Sequence, residues 1–190
     1  MAERRESRSD ILSAVVTVLS TRGAEQLSIR TVAAEAGVSV GAVQHHFPTK
    51  QALLTGAMAR VEERFRRRMR ELAEQEPSAE RRLRAFCDAI ACVEDADVAD
   101  AVVWTAFASR AGTDPAIRAL HTDGWSRTEG VVLDLLRAAH PSASFGPDDA
   151  ALLLAVLDGI AVARAAEQPT RLPPPRARAL ITRTLALLTP

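Results

Sequence analysis

The sequence predicts an all-α protein of about nine helices, and three observations carry that reading. Ala, Leu and Arg, all strong helix formers, are abundant, whereas tyrosine is absent. Apolar residues recur at helical spacing in one segment after another, with no sustained alternation of the kind a half-buried strand shows. Capping residues, Gly and Pro fall between those segments, where helices must start and stop.

The first helix is expected from Ser9 to Thr21, with Ile11, Leu12, Val15, Val16 and Leu19 as its apolar stripe and Gly23 as its stop. Ser28 caps a short second helix through Ala36, and Ser39 a third through about His46. Pro48 breaks the chain, and Thr49 caps a long fourth helix to Glu74. After the break at Gln75-Glu76-Pro77-Ser78, helices are expected at 79–93, 97–110, 114–139, 148–167 and 174–188. The pattern divides into an N-terminal three-helix unit, residues 1–50, and a larger helical body, residues 51–190.

Composition narrows the function classes. Hydrophobic residues make up 47% and charged residues 25%, ordinary for a globular protein. No apolar run reaches the ~18 residues that span a bilayer, so no membrane partner is expected. Met1 to Asp10 is charged and lacks the apolar region of a secretory signal, which predicts a cytoplasmic protein. Cys87 and Cys92 lack the spacing of a CxxC pair or a zinc ligand set and read as small buried hydrophobes. No metal-ligand cluster, nucleophile elbow, Walker loop or dinucleotide fingerprint is present, so neither metal, cofactor nor catalysis is expected.

The formal charge is zero but unevenly spread. Residues 1–70 carry twelve Lys/Arg against seven Asp/Glu, and the remainder has the matching deficit. A basic N-terminal third on a neutral chain suits a unit that faces phosphates. Only one of the 24 basic residues, Lys50, is a lysine.

The stretch Ile29 to Phe47, IRTVAAEAGVSVGAVQHHF, meets the demands of two helices crossing steeply on a short turn. Ala33 is small where the helices meet, Gly37 tolerates the positive φ of the turn, and Val32, Ala36, Val38 and Val43 fill the wedge. This is a helix-turn-helix, with double-stranded DNA as its implied partner.

From about residue 8 to 58 the chain resembles the tetracycline-repressor (TetR) family, whose members show A-x-x-A-G-V-S-x-G-x-(aliphatic)-Y-x-H-F-x-(S/T)-K-x-x-L. Here the stretch reads TVAAEAGVSVGAVQHHFPTKQALL. The resemblance implies that the helix from Val40 to His46 enters the major groove, that Arg30 reaches DNA from the second helix, and that His46 and Lys50 contact the backbone. Gln44 stands where the family often has tyrosine, and His45 where another aromatic is frequent, so contacts of a tyrosine hydroxyl do not carry over. The candidate DNA-binding residues are Ser28, Arg30, Ser39, Val40, Gly41, Ala42, Gln44, His45, His46 and Lys50. Gln44 offers a paired donor and acceptor for adenine, and Arg30 a fork for phosphate or guanine. Ser39 to Ala42 are small enough for close approach, and a free N–H there can bond a phosphate. A lysine in the first turn of a helix opposes the helix dipole, which favours a functional reason for Lys50.

Residues beyond 51 resemble the BetI-type C-terminal domain, through Trp104, Phe107, Asp114-Pro115, Ala119-Leu120-His121, Trp125 and Val156 to Ile160. The resemblance implies an effector pocket, with Phe65, Phe86, Trp104, Phe107, His121 and Trp125 as candidates and His121 as the polar one. Core packing is the alternative for each. The segment 150–163 is apolar nearly all round apart from Asp158, so something must cover two of its sides. The resemblance implies a four-helix interface between two copies, with candidates Leu153, Val156, Gly159, Ile160, Leu180, Ile181, Thr184, Leu185 and Leu188. Asp158 reads as a hydrogen-bond anchor.

Together these features predict a homodimeric repressor that binds a palindromic operator and is released by an unidentified small-molecule effector. Two other readings stay open: an activator or broad DNA binder on the same fold, and a helical small-molecule binding protein that does not bind DNA.

Overall fold

The computed structural model describes residues 2–167 and 170–189. Among them the chain forms nine α-helices and no strand: α1 (Ala2–Arg22), α2 (Ile29–Ala36), α3 (Val40–His46), α4 (Lys50–Gln75), α5 (Ala79–Ile90), α6 (Val98–Ala111), α7 (Pro115–Ala139), α8 (Pro147–Glu167) and α9 (Pro174–Leu188). Short 3-10 turns at Ala24–Gln26 and Asp95–Asp97, not foreseen from the sequence, precede α2 and α6. None of the described helices is long and apolar enough to cross a membrane.

The expected start signals act as caps. Ser28 and Thr31 form a capping box at α2, while Ser39 accepts the Ala42 N–H (3.1 Å) and Thr49 the Ala52 N–H (3.0 Å). Asp114 accepts the Ala116 and Ile117 N–H groups at 3.1 and 3.3 Å, with Pro115 at the first helical position of α7.

Two apolar cores organise the molecule. The first joins Ile11, Leu12, Val15 and Leu19 of α1 with Val32, Ala33, Val43 and Phe47, and continues into Leu53, Leu54, Ala57 and Met58 of α4. Val103, Phe107 and Ala111 of α6 and Ile117 of α7 complete it, so burial does not break at residue 50. The second core packs Leu83, Phe86 and Cys87 of α5 against Val132 and Leu136 of α7, the inner face of α8, and Ala177, Ile181 and Leu185 of α9. Phe65 and Met69, farther along α4, pack on this second core. One long helix therefore belongs to both.

Two contacts were not legible in the sequence. The first is at Gly56 of α4, where a Cβ would stand 2.6 Å from Cε1 of Phe47, so only glycine lets that ring lie against the helix. The second is Arg164 of α8, fully buried, which donates to the carbonyls of Cys92 (2.7 Å) and Leu172 and to Asp95 Oδ1 (2.9 Å). Its guanidinium satisfies two buried carbonyls and pins the segments before α6 and α9. The Cys92 bond accompanies a correction: α5 ends at Ile90 rather than 93, and Cys92 adopts φ 49° where the chain turns to meet Arg164. Burial pushes both thiols up to about 12, so they stay protonated.

Candidate nucleic-acid interface

The α2–α3 corner is built from local chemistry. Gly37 closes α2 at φ 67°, ψ 26°, with its N–H directed to the carbonyls of Ala33 and Ala34. That left-handed residue turns the chain sharply so that Ser39 can cap α3 two residues later. Val32, Ala33 and Val43 are buried beneath the corner, and the half-buried Ala36 and Val38 pack against them. The outer face of α3 is thereby held on a rigid base.

Ser28, Ile29, Arg30, Val40, Gln44 and Lys50 line one open depression on that outer face. It unites five of the ten candidate residues. Arg30 and Gln44 are exposed and make no hydrogen bond or ion pair among the described residues. Val40 is 41% exposed, an unusual position for a large apolar side chain. Ser39, Gly41 and His45 are exposed beside the depression, Ala42 is half-buried, and the half-buried His46 ring lies between those of His45 (5.1 Å) and Phe47 (6.4 Å). The Ser28 and Ser39 hydroxyls are engaged as caps.

Lys50 does more than face outward. Its Nζ donates to the carbonyls of Ala24 (2.8 Å) and Glu25 (3.4 Å), clasping the turn before α2 to the start of α4. The misfit with the helix dipole is thus offset by two carbonyl acceptors, and an ammonium keeps a third donor.

The six aromatic and histidine candidates form two separate groups. Phe65 and the buried Phe86 meet edge to face at 5.4 Å on the second core. Trp104, His121 and Trp125 stack on one another, with centroids 5.0, 5.9 and 6.0 Å apart, and the buried Phe107 lies 6.4 Å from His121. Trp104 Nε1 donates to Asp158 Oδ1 of α8. None of the six lines the cavity of about 180 Å³ between α5, the end of α7 and α9, whose walls include Glu80, Arg84, His140 and Thr182.

Comparison with known proteins decides the family. Residues 79–190 match the BetI-type transcriptional repressor C-terminal domain, and residues 11–57 match the bacterial regulatory proteins of the tetR family. The chain belongs to the TetR family. The HTH-type transcriptional regulator PksA of Bacillus subtilis is 29% identical over 109 residues, 57% of this chain and 53% of that protein, so the match spans about half of the relative's length. The nucleoid occlusion factor SlmA of Idiomarina loihiensis is 28% identical over 84% of both chains. A crystal structure of a transcriptional regulator from Rhodococcus sp. Rha1 superposes with a TM-score of 0.83 at 29% identity, covering 95% of each chain.

This TetR-family chain also carries an uncovered apolar surface, and its register corrects the expectation. Leu153, Ile160, Ile181 and Leu185, four of the candidates for pairing with a second copy, are buried in the second core of their own chain. The outward stripe of α8 is instead Leu152 (54% exposed), Ala155, Gly159 and Val162, spaced three and four residues apart. On α9 it is Leu180 and Leu187, the latter 78% exposed. Val156, Thr184 and Leu188 are half-buried. Because α8 is apolar on nearly every side, periodicity alone could not say which side faces inward.

Proposed function

We propose that the protein is a homodimeric transcriptional repressor that reads a palindromic operator through α3 and releases it on binding a small-molecule effector. Residues 1–50 act as the reading unit and 51–190 as the effector-binding and dimerising body. The observation that carries the DNA reading is the depression of Arg30, Val40, Gln44 and Lys50: a rigid, doubly capped corner from which the unpaired side chains of Arg30 and Gln44 face out. Gln44 offers donor and acceptor to adenine N6 and N7, Val40 an apolar surface for a thymine methyl, and Arg30 and Lys50 positive charge for phosphates. The uncovered stripe of α8 and α9 supports pairing of two copies, which sets half-sites about 34–36 Å apart, or a multiple of that. An effector dissociates DNA only if it prefers a form with mis-spaced reading helices, and α4, shared by both cores, is the lever that moves them.

The test is operator affinity measured against salt for the full chain and two variants. Lys50→Ala weakens all duplexes about equally and lowers the salt slope by about one. Gln44→Ala relaxes preference at one base step and leaves the salt slope unchanged. Identical behaviour of the two variants across operator sequences overturns the assignment. One relative bears the name nucleoid occlusion factor rather than repressor, and beside the first reading stands a second, a broad DNA binder on the same fold. Genome-wide mapping separates the two: one or a few palindromes supports a dedicated repressor, and scattered sites support the broad binder.

A further inference from the structure

We propose that Asp97 and Asp100, held against Arg64 and Arg68 of α4, are positioning residues that set how far apart the two reading helices of a homodimer stand. They thereby determine which half-site spacing the protein accepts. The inference rests on the homodimeric operator reading proposed above and adds the element that fixes its geometry.

Two acidic residues stand at helix starts without capping them. Asp97 precedes α6 and Glu94 precedes the 3-10 turn Asp95–Asp97, yet neither side chain makes a capping hydrogen bond. Aspartate is among the best N-caps, and Asp114 acts as one at α7. Asp97 instead gives its carboxylate to α4, to Arg68 at 2.9 Å and Arg64 at 3.6 Å, and Asp100 accepts from Arg64 at 3.0 Å. Glu94 pairs with Arg178 of α9, and Asp95 with the buried Arg164 of α8 at 2.9 Å. The segment from Glu94 to Asp100 therefore ties α4 to the two helices that carry the uncovered apolar stripe.

On α4 the grip follows one edge. Arg60, Arg64 and Arg68 recur every four residues and share a face. Arg60 donates to the Ser9 carbonyl (3.0 Å) and the Ser13 hydroxyl (2.8 Å) of α1, in the reading unit. Arg64 and Arg68, the next two turns, reach the acidic segment of the body. By contrast, Arg66 and Arg70 pair with Glu62 and Glu63 of α4 itself. The body thus holds α4 one turn from where the reading unit holds it. Its other contacts with the reading unit, through Val103, Phe107 and Ala111, are apolar and non-directional, so the ion pairs supply the directional hold.

Lever length turns this hold into spacing. Lys50 lies fourteen residues before Arg64, about 21 Å along the helix. A tilt of about 10° about Arg64 carries Lys50 and the reading unit by about 3.7 Å, close to the rise of about 3.4 Å per base pair. Slack at the junction therefore becomes tolerance of about one base pair for each reading unit. Little folding stability is at stake, because the side chains of Arg64 and Arg68 are 45% and 46% exposed. The pairs contribute position.

The full chain first selects its site from a random duplex pool, and that site is rebuilt with one base pair inserted or removed at its centre. Fluorescence anisotropy then gives the affinities of wild type, Asp97→Ala, Arg68→Lys and Arg66→Gln for the three duplexes, with circular dichroism checking that each is folded. Wild type is expected to prefer the selected spacing about tenfold or more. Asp97→Ala should stay within about threefold of wild type on the selected duplex while its preference falls to about threefold or less. Arg68→Lys keeps a charge for Asp97, Arg66→Gln touches only pairs inside α4, and both should retain the wild-type preference. If Asp97→Ala does not fold, Arg64→Gln with Arg68→Gln breaks the same pairs from the exposed side and is read in the same way. Equal loss of affinity on all three duplexes, a preference that persists in the variant, or equal relaxation in Arg66→Gln overturns the positioning role and leaves the operator reading intact. A chain that selects no duplex overturns the operator reading and the positioning role with it.

Discussion

Replacing Gly56 by alanine places two effects of opposite sign on one residue. In an exposed helix the change stabilises by about 1 kcal/mol, because glycine is the poorer helix former. Here the added Cβ would stand 2.6 Å from Phe47 Cε1, 3.4 Å from Phe47 Cδ1 and 3.2 Å from Leu12 Cδ2. Phe47 is 3% exposed and its ring is rigid, so the ring or the whole helix must shift, at a cost of about 1–3 kcal/mol. The clash wins, and the expected net loss is about 1 kcal/mol, up to about 2. The effect on DNA is larger than stability alone implies. Phe47 closes α3, its N–H bonded to the Val43 carbonyl at 2.8 Å, so displacing its ring tilts the helix that carries Gln44. Urea unfolding gives the stability and fluorescence anisotropy the operator affinity, which falls about tenfold or more. Adding Phe47→Leu makes room, so the double variant loses less than the sum of the two. A more stable Gly56→Ala protein with unchanged operator affinity would refute the reasoning.

Two further perturbations test the body of the molecule. Arg164→Met fills similar space but leaves the buried Cys92 and Leu172 carbonyls without their donor, while the freed Asp95 is exposed to water; unfolding free energy should drop by about 2–5 kcal/mol in urea melts, and a loss under about 1 contradicts the role of the guanidinium. For Asp100, burial raises the carboxyl pKa above its ordinary value, while Arg64 opposes the shift and Asp97 adds to it. The folded state then holds that proton more tightly than the unfolded one, so the carboxyl's contribution to stability is present in acid and lost as pH rises through the raised value. The stability of the wild type relative to Asp100→Asn is accordingly smaller at about pH 7 than at about pH 4, and a difference that grows with pH reverses the sign of the argument.

The corner of α2 and α3 was readable because everything that shapes it is local: two serine caps, one left-handed glycine and a few small residues within nineteen positions. The starts of α4, α5 and α7 were likewise set by residues that cap within three positions of themselves. What stayed hidden depends on partners distant in sequence. Lys50 clasps backbone carbonyls 25 and 26 residues earlier, and a carbonyl carries no residue-type signature. Arg164 looks like any other arginine until the chain folds around it. Leu152 and Leu153 are indistinguishable as letters, yet one is 54% exposed and the other fully buried. On a helix apolar nearly all round, only the positions of its neighbours decide between them.

The first core crosses residue 50, and this limits how the protein can be cut and recombined. Leu53, Leu54, Ala57 and Met58 complete the floor under α1 to α3, and Val103, Phe107, Ala111 and Ile117 seal it from the other side. A fragment severed at residue 50 would lose that floor, and one severed after Met58 would expose the seam meant for α6. Grafting this reading head onto another regulator's body therefore requires carrying the opening turns of α4 and supplying side chains of matching size at the four sealing positions. Interchange of such heads is a packing problem before it is a recognition problem.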